Sequence, residues 1–132
     1  MSAPIATENA LAIYNVESGK QLLREYTGIS DAEIDSHVES IKDKALQVAP
    51  YPCIRRFRFL DLVLCTTAAY PSILSRVKSG AVFLDLACCM GQELRKLAHD
   101  GAPSENTYGA DLYGGFFPLS SRRTSSTTSR RW

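Results

Sequence analysis

Two carboxylates, Asp85 and Asp111, stand near the ends of the two segments of this 132-residue chain that read most clearly as β-strands. Residues 81–95 read AVFLDLACCMGQELR. An apolar run ends in Asp85, passes a turn of small residues and restarts as a helix after Gly91. That is a strand, a tight loop and a helix N-terminus, the local geometry that holds a nucleotide-like cofactor. The turn must be tight and unobstructed so that backbone N–H groups can approach a ligand, and the small residues Ala87 and Gly91 serve that. Asp85 can accept hydrogen bonds from a cofactor's amino group or from ordered water. Asp111 ends the next strand, 20 residues past Gly91, where a carboxylate can hold both hydroxyls of a ribose. Two carboxylates, with no Lys or Arg in the turn, argue against a bound pyrophosphate and suit a cationic ligand that carries a ribose.

Several elements must position these groups. Glu17 to Thr27 reads as a short helix that Gly28 ends. Ser30 followed by Glu33 is a capping-box pattern. Behind it Ile34, Val38, Ile41, Ala45 and Val48 fall on one helical face, with Glu39, Lys42 and Asp43 toward water. His37 borders this stripe as a boundary residue. Pro50 and Pro52 end the helix. Tyr51 to Leu64, YPCIRRFRFLDLVL, interleaves Arg55, Arg56 and Arg58 with Phe57 and Phe59. Such interleaving can bind nucleic acid or line a pocket for an anionic apolar substrate. The favoured reading is packing of Phe57, Phe59, Leu60, Leu62 and Leu64 with the arginines turned outward. Pro71 opens a helix that Gly80 closes. A strand over Ala81–Leu86, a helix from Gly91 to His99 and a strand over Thr107–Leu112 complete a β-α-β unit. Helices followed by β-α-β predict an α/β fold with parallel strands.

Composition narrows the class. The chain has room for one small domain. No apolar run approaches the roughly 18 residues of a membrane span, and no secretion signal is visible at the N-terminus. Cys53, Cys65, Cys88 and Cys89 have neither disulfide nor zinc spacing, so no metal site and a reduced, cytoplasmic protein are expected. Residues 1–117 carry 11 Lys and Arg against 14 Asp and Glu, whereas residues 118–132 carry four Arg and no acid. The body is therefore acidic and the tail basic. A Ser/Thr/Arg tract buries no apolar surface, so disorder is expected there rather than a nucleic-acid site.

FLDLACCMGQELRKLAHDGAPSENTYGADL resembles the first two strands of a class I S-adenosylmethionine-dependent methyltransferase. Together with LLREYTGIS, YPCIRRFRFLDL and YPSILSRVKSG, it is similar to the fungal methyltransferases of secondary-metabolite clusters. That group includes enzymes of meroterpenoid pathways that methylate a carboxyl group. The resemblance covers about residues 17 to 112. It implies S-adenosylmethionine as cofactor, a loop from Asp85 and Leu86 through Ala87 to Gly91 that cradles it, Asp111 on the ribose and Leu112 beside the adenine. The sequence departs from the pattern at Ala87, where glycine is usual, and at Cys89, an alternate position that glycine often fills. If Ala87 needs positive φ, the cost is roughly 1–2 kcal/mol; if it needs only smallness, the cost is slight. Cys88 and Cys89 are then packing residues.

The resemblance implies a larger sheet than two strands. The expectation is a partial Rossmann-like core at residues 81–117, a helical N-terminal extension at 1–80 and a disordered tail at 118–132. The tail resembles translation through a shifted frame or a misread intron, and the chain reads as a C-terminally truncated O-methyltransferase of weak or no activity. The alternative is a non-catalytic module that pairs through an exposed strand. Expected partners are a small carboxylic acid and, through that strand, a second copy of the chain; neither membrane nor nucleic acid is expected. A carboxylic acid is ionised at neutral pH, so alignment with the methyl group suffices. No catalytic base is nominated, and His99 lies at the far end of its helix from the loop.

Overall fold

The computed structural model describes residues 14–120. Helix α1, Val16–Thr27, starts where the Asn15 side chain accepts the backbone N–H of Ser18. It stops at Gly28, whose φ of 72° turns its own N–H onto the carbonyl of Arg24. Only glycine adopts that left-handed cap without steric cost. Helix α2, Asp31–Val48, follows at once. The Ser30 hydroxyl donates to the Glu33 carboxylate at 2.7 Å rather than capping a backbone N–H, so the expected capping box closes side chain to side chain. Ile34, Val38 and Ala45 are buried, and Ile41 and Val48 pack at the margin, as the spacing requires.

Residues 51–66 form short helical turns, beginning with α3, Pro52–Arg55. Phe59, Leu60 and Leu62 are buried, while Arg55 and Arg56 are exposed. Arg58 lies over the ring of Tyr14 and donates to the carbonyl of Asp61 at 3.0 Å. The interleaved stretch is thus a packing segment with its cations outside. Helix α4, Tyr70–Lys78, carries Pro71 in its first turn, and Gly80 leaves it at a φ of 105°.

Strand β1, Phe83–Leu86, helix α5, Gln92–His99, and strand β2, Thr107–Ala110, form the β-α-β unit. Both strands are shorter than the sequence pattern suggests. The strands are parallel, with Asp85 opposite Gly109 and Leu86 opposite Ala110. The protein therefore has the expected α/β architecture with a two-stranded parallel core. Leu94 and Leu97 of α5 are fully buried and join Tyr70, Val77, Cys88 and Ala102 in one apolar cluster. A second cluster unites Ile34, Val38, Ile54, Phe59 and Leu60 with Met90 and Phe116. Through Met90, the loop after β1 is anchored in the N-terminal helices.

The chain ends its described part in α6, Phe117–Ser120, and Leu119 packs against the second cluster. The change of character expected at residue 118 thus falls inside a short helix; the rest of the basic tail, like the N-terminal arm, lies outside the described residues. Among the described residues no helix is long and apolar enough to cross a membrane.

Candidate cofactor site

The loop leaving β1 takes the left-handed conformation at alternate positions: Ala87 at a φ of 59°, Cys89 at 51° and Gly91 at 72°. These include Ala87 and Cys89, the two positions at which the resemblance led glycine to be expected. The condition posed by the sequence is therefore met in its costly form, since an L-residue there is strained by roughly 1–2 kcal/mol. The loop still closes because its backbone groups find partners. Cys88 N–H donates to the carbonyl of Ala110, extending the sheet pairing by one step, and Gly91 N–H donates to the carbonyl of Cys88 at 2.8 Å. Cys89 N–H donates to Oδ2 of Asp111 at 2.8 Å.

Asp85, the loop 87–91 and Asp111 are thereby gathered at the carboxyl end of the two strands. Asp111 also accepts the N–H of Tyr113 on Oδ1 at 3.2 Å, which fixes its plane. Leu112 follows it, 84% exposed. Leu86 lies on the opposite sheet face from Asp85 and is likewise exposed, so its contribution to the loop is backbone rather than side chain.

Electrostatics separate the carboxylates. Burial, and then the charges of Glu93 and Asp111, push the Asp85 carboxyl up to about 6. Asp85 makes no side-chain hydrogen bond among the described residues. Glu93, in the first turn of α5, is a site residue that sequence reasoning missed. Its Oε1 accepts the backbone N–H groups of Val63 at 2.8 Å and Leu64 at 3.3 Å, while its Oε2 is buried without a hydrogen-bond partner. The only signal was an acidic residue just inside a helix that opens after a glycine, a position helices favour for reasons unrelated to function.

The cysteines are packing groups. Burial pushes the Cys88 thiol up to about 12 and the Cys89 thiol up to about 11, so neither is a thiolate near neutrality. His99 pairs with Glu25 at 3.0 Å and joins α5 to α1, remote from the loop. His37 lines a small cleft with Ile41, Phe59, Met90 and Arg95. The cation of that cleft comes from α5 and not from the interleaved arginines, and burial lowers the Arg95 guanidinium to about 10. Among the described residues no group of three or more His, Cys, Asp or Glu could hold a metal ion.

Residues 11–60 match the family described as the meroterpenoid methyltransferase N-terminal domain. The chain is a homologue of fungal secondary-metabolite methyltransferases. It is 50% identical over 103 residues to the asnovolin E/chermesin D methyltransferase of Aspergillus novofumigatus, a match covering 78% of this chain and 37% of that protein. It is 48% identical over 99 residues to an O-methyltransferase of Stereocaulon alpinum, over 74% of this chain and 29% of that one. A methyltransferase of Penicillium roqueforti is 45% identical over 103 residues, 78% of this chain and 37% of its own. The matched stretch thus spans about a third of the length of these relatives. No solved structure matches the chain at a significant level.

Proposed function

We propose that the loop from Asp85 to Gly91, with Asp111 and Leu112, binds S-adenosylmethionine, and that this chain carries the cofactor-binding part of an O-methyltransferase acting on a carboxylic acid. The observation that supports this best is that Asp85 and Asp111 both stand at the carboxyl end of the parallel pair, beside a left-handed loop whose Cys89 N–H bonds to Asp111.

The residues fit such a ligand chemically. The Asp85 carboxylate is disfavoured by partial burial and then by the charges of Glu93 and Asp111, so a bound cation offsets both its desolvation and their repulsion. Asp111 presents two oxygens, each with one protein donor already and lone pairs to spare for ribose hydroxyls. The exposed Leu112 offers an apolar surface for a flat base. S-adenosylmethionine, when bound, supplies an electrophilic methyl group on a sulfonium. An ionised carboxylate attacks such a carbon without a general base, so the chain's own residues need only bind, orient and exclude water. Neither His37 nor His99 is required, in keeping with the helical contacts they make.

Isothermal titration of the purified chain with S-adenosylmethionine tests the reading. Binding in the micromolar range, lost in Asp111→Ala, is expected. Absence of heat up to millimolar ligand would remove the proposal and favour a non-catalytic module.

A further inference from the structure

The arginines of residues 51–64 turn away from the core: Arg55 and Arg56 are exposed, and Arg58 lies over the ring of Tyr14. The apolar half of the same segment faces a cleft. Phe59 lines it together with Ile41 of α2, Met90 of the loop after β1 and Leu119 of α6. The polar members of its wall are His37 of α2 and Arg95 of α5, both partly buried.

We infer that this cleft binds the carboxylate of an apolar acid, with the Arg95 guanidinium as the anchor and the apolar walls against the carbons beside it. The first support is charge. A fixed cation among apolar side chains favours an anion with an apolar body; a neutral ligand gains nothing from the charge and a second cation is repelled. Burial lowers the Arg95 guanidinium only to about 10, so it stays charged at neutrality. In such a partly dry setting an arginine bonds a carboxylate through two parallel N–H groups more strongly than it would in water. The second support is size. The cleft has a volume of about 30 Å³, room for one or two water molecules. That suits a carboxylate head group, with the body of the acid lying across the partly open mouth.

The third support is position. Arg95 N–H bonds back to the carbonyl of Gly91, so this residue stands one helical turn past the loop. Its charge acts on the Cys89 thiol, and Met90 belongs to both loop and cleft. The strand side of the loop is acidic, with Asp85, Glu93 and Asp111 influencing one another. The cleft side carries Arg95. One short loop thus separates a surface suited to a cation from a cleft suited to an anion. Calling that acid the methyl acceptor rests on the function proposed above; the choice of an anion rests on the cleft's own walls.

The test is an NMR titration of the full chain at pH 7.5, without S-adenosylmethionine, using cyclohexanecarboxylate and its neutral counterpart cyclohexylmethanol. The two readings can therefore fail separately. The acid is expected to bind about tenfold or more tightly than the alcohol, the ratio that one charge-assisted pair supplies, and to shift the Arg95 Nε–H resonance. That signal separates the cleft from the exposed arginines. Arg95→Met, which keeps length and removes charge, should bind acid and alcohol alike. Should that variant fail to fold, the comparison on the parent chain and the Arg95 signal still decide. Equal affinity of the parent for acid and alcohol would overturn the inference. So would an Arg95 resonance unmoved by excess acid, or a folded Arg95→Met that keeps the preference.

Discussion

The backbone N–H of Cys89 donates to the Asp111 carboxylate across 2.8 Å, so the residue proposed to hold a ribose also holds the strained loop in shape. Hydrogen bonds to a charged acceptor contribute about 1.5–3 kcal/mol. Asp111→Ala is therefore expected to lower stability by about that much in a urea melt and to weaken S-adenosylmethionine binding at least tenfold by titration. Asp111→Asn keeps one acceptor oxygen and should fall between the two. Unchanged melting in Asp111→Ala would show that the loop closes without this bond.

Ala87 and Cys89 offer a gain rather than a loss. Both sit at positive φ, where an L-residue is strained by roughly 1–2 kcal/mol. Glycine removes the strain but adds about 0.5–1 kcal/mol of unfolded-state entropy. Ala87 is exposed and loses little packing, so Ala87→Gly should stabilise by about 0.5–1 kcal/mol. Cys89 packs against the main core, and the side chain lost in Cys89→Gly offsets the relief, leaving stability nearly unchanged. Thermal melts of the two single variants separate strain from packing directly.

Asp85 makes stability depend on pH in a predictable sense. Its folded pKa, about 6, lies above its ordinary 3.8 because of burial first and of Glu93 and Asp111 next. The folded state therefore holds the proton more tightly than the unfolded one. Stability contributed by this group is present below about pH 4, falls as pH rises through 6 and is level above that. Asp85→Asn should flatten that slope and stabilise the chain at pH 7.5 by about 1 kcal/mol, a discounted figure because the carboxylate is partly solvated. The same variant should lose cofactor affinity, since the cation it would receive no longer meets a charge. Urea melts from pH 4 to 8 check the first part and titration the second; a slope retained in the Asn variant would assign it to another group.

Much of this architecture was legible in the sequence because it rests on local rules. The 3.6-residue spacing from Ile34 to Val48, the αL cap at Gly28 and the proline at the start of α4 each act within one or two turns of chain. The apolar run ending in Asp85 marked β1 for the same reason. Three things were not legible. The strands end early, because their length depends on neighbours: among the described residues β1 has one partner, and its pairing gives way to the loop at Cys88. Glu93 reaches Val63 and Leu64 about thirty positions away, and no sequence periodicity encodes such a contact. The positive φ at Ala87 follows from where α5 must begin relative to β1, so residue type alone left both conformations open.

The contact that most constrains the N-terminal helices was equally hidden, and it gives the sharpest stability test. Gly19 lies inside α1, where alanine is normally better by about 1 kcal/mol. Yet a Cβ built there would come within 2.2 Å of the Leu60 carbonyl oxygen and 2.5 Å of its Cα. These are backbone atoms and cannot swing away. The neighbouring Ser18 hydroxyl accepts the N–H of Leu62 at 3.2 Å, which pins the same two segments together. Gly19→Ala must therefore push α1 off the 58–62 turn, with an overpacking cost of about 1–3 kcal/mol that outweighs the helical gain. Leu60 shares its core with Met90, so the displacement reaches the cofactor loop. Gly114 has no atom within 4 Å of a built Cβ and no positive φ, and Gly114→Ala should change stability by less than about 0.5 kcal/mol. A pair of melts in which Gly19→Ala is as benign as Gly114→Ala would mean that α1 does not seat on Leu60, and the link from the helical layer to the loop would fall with it.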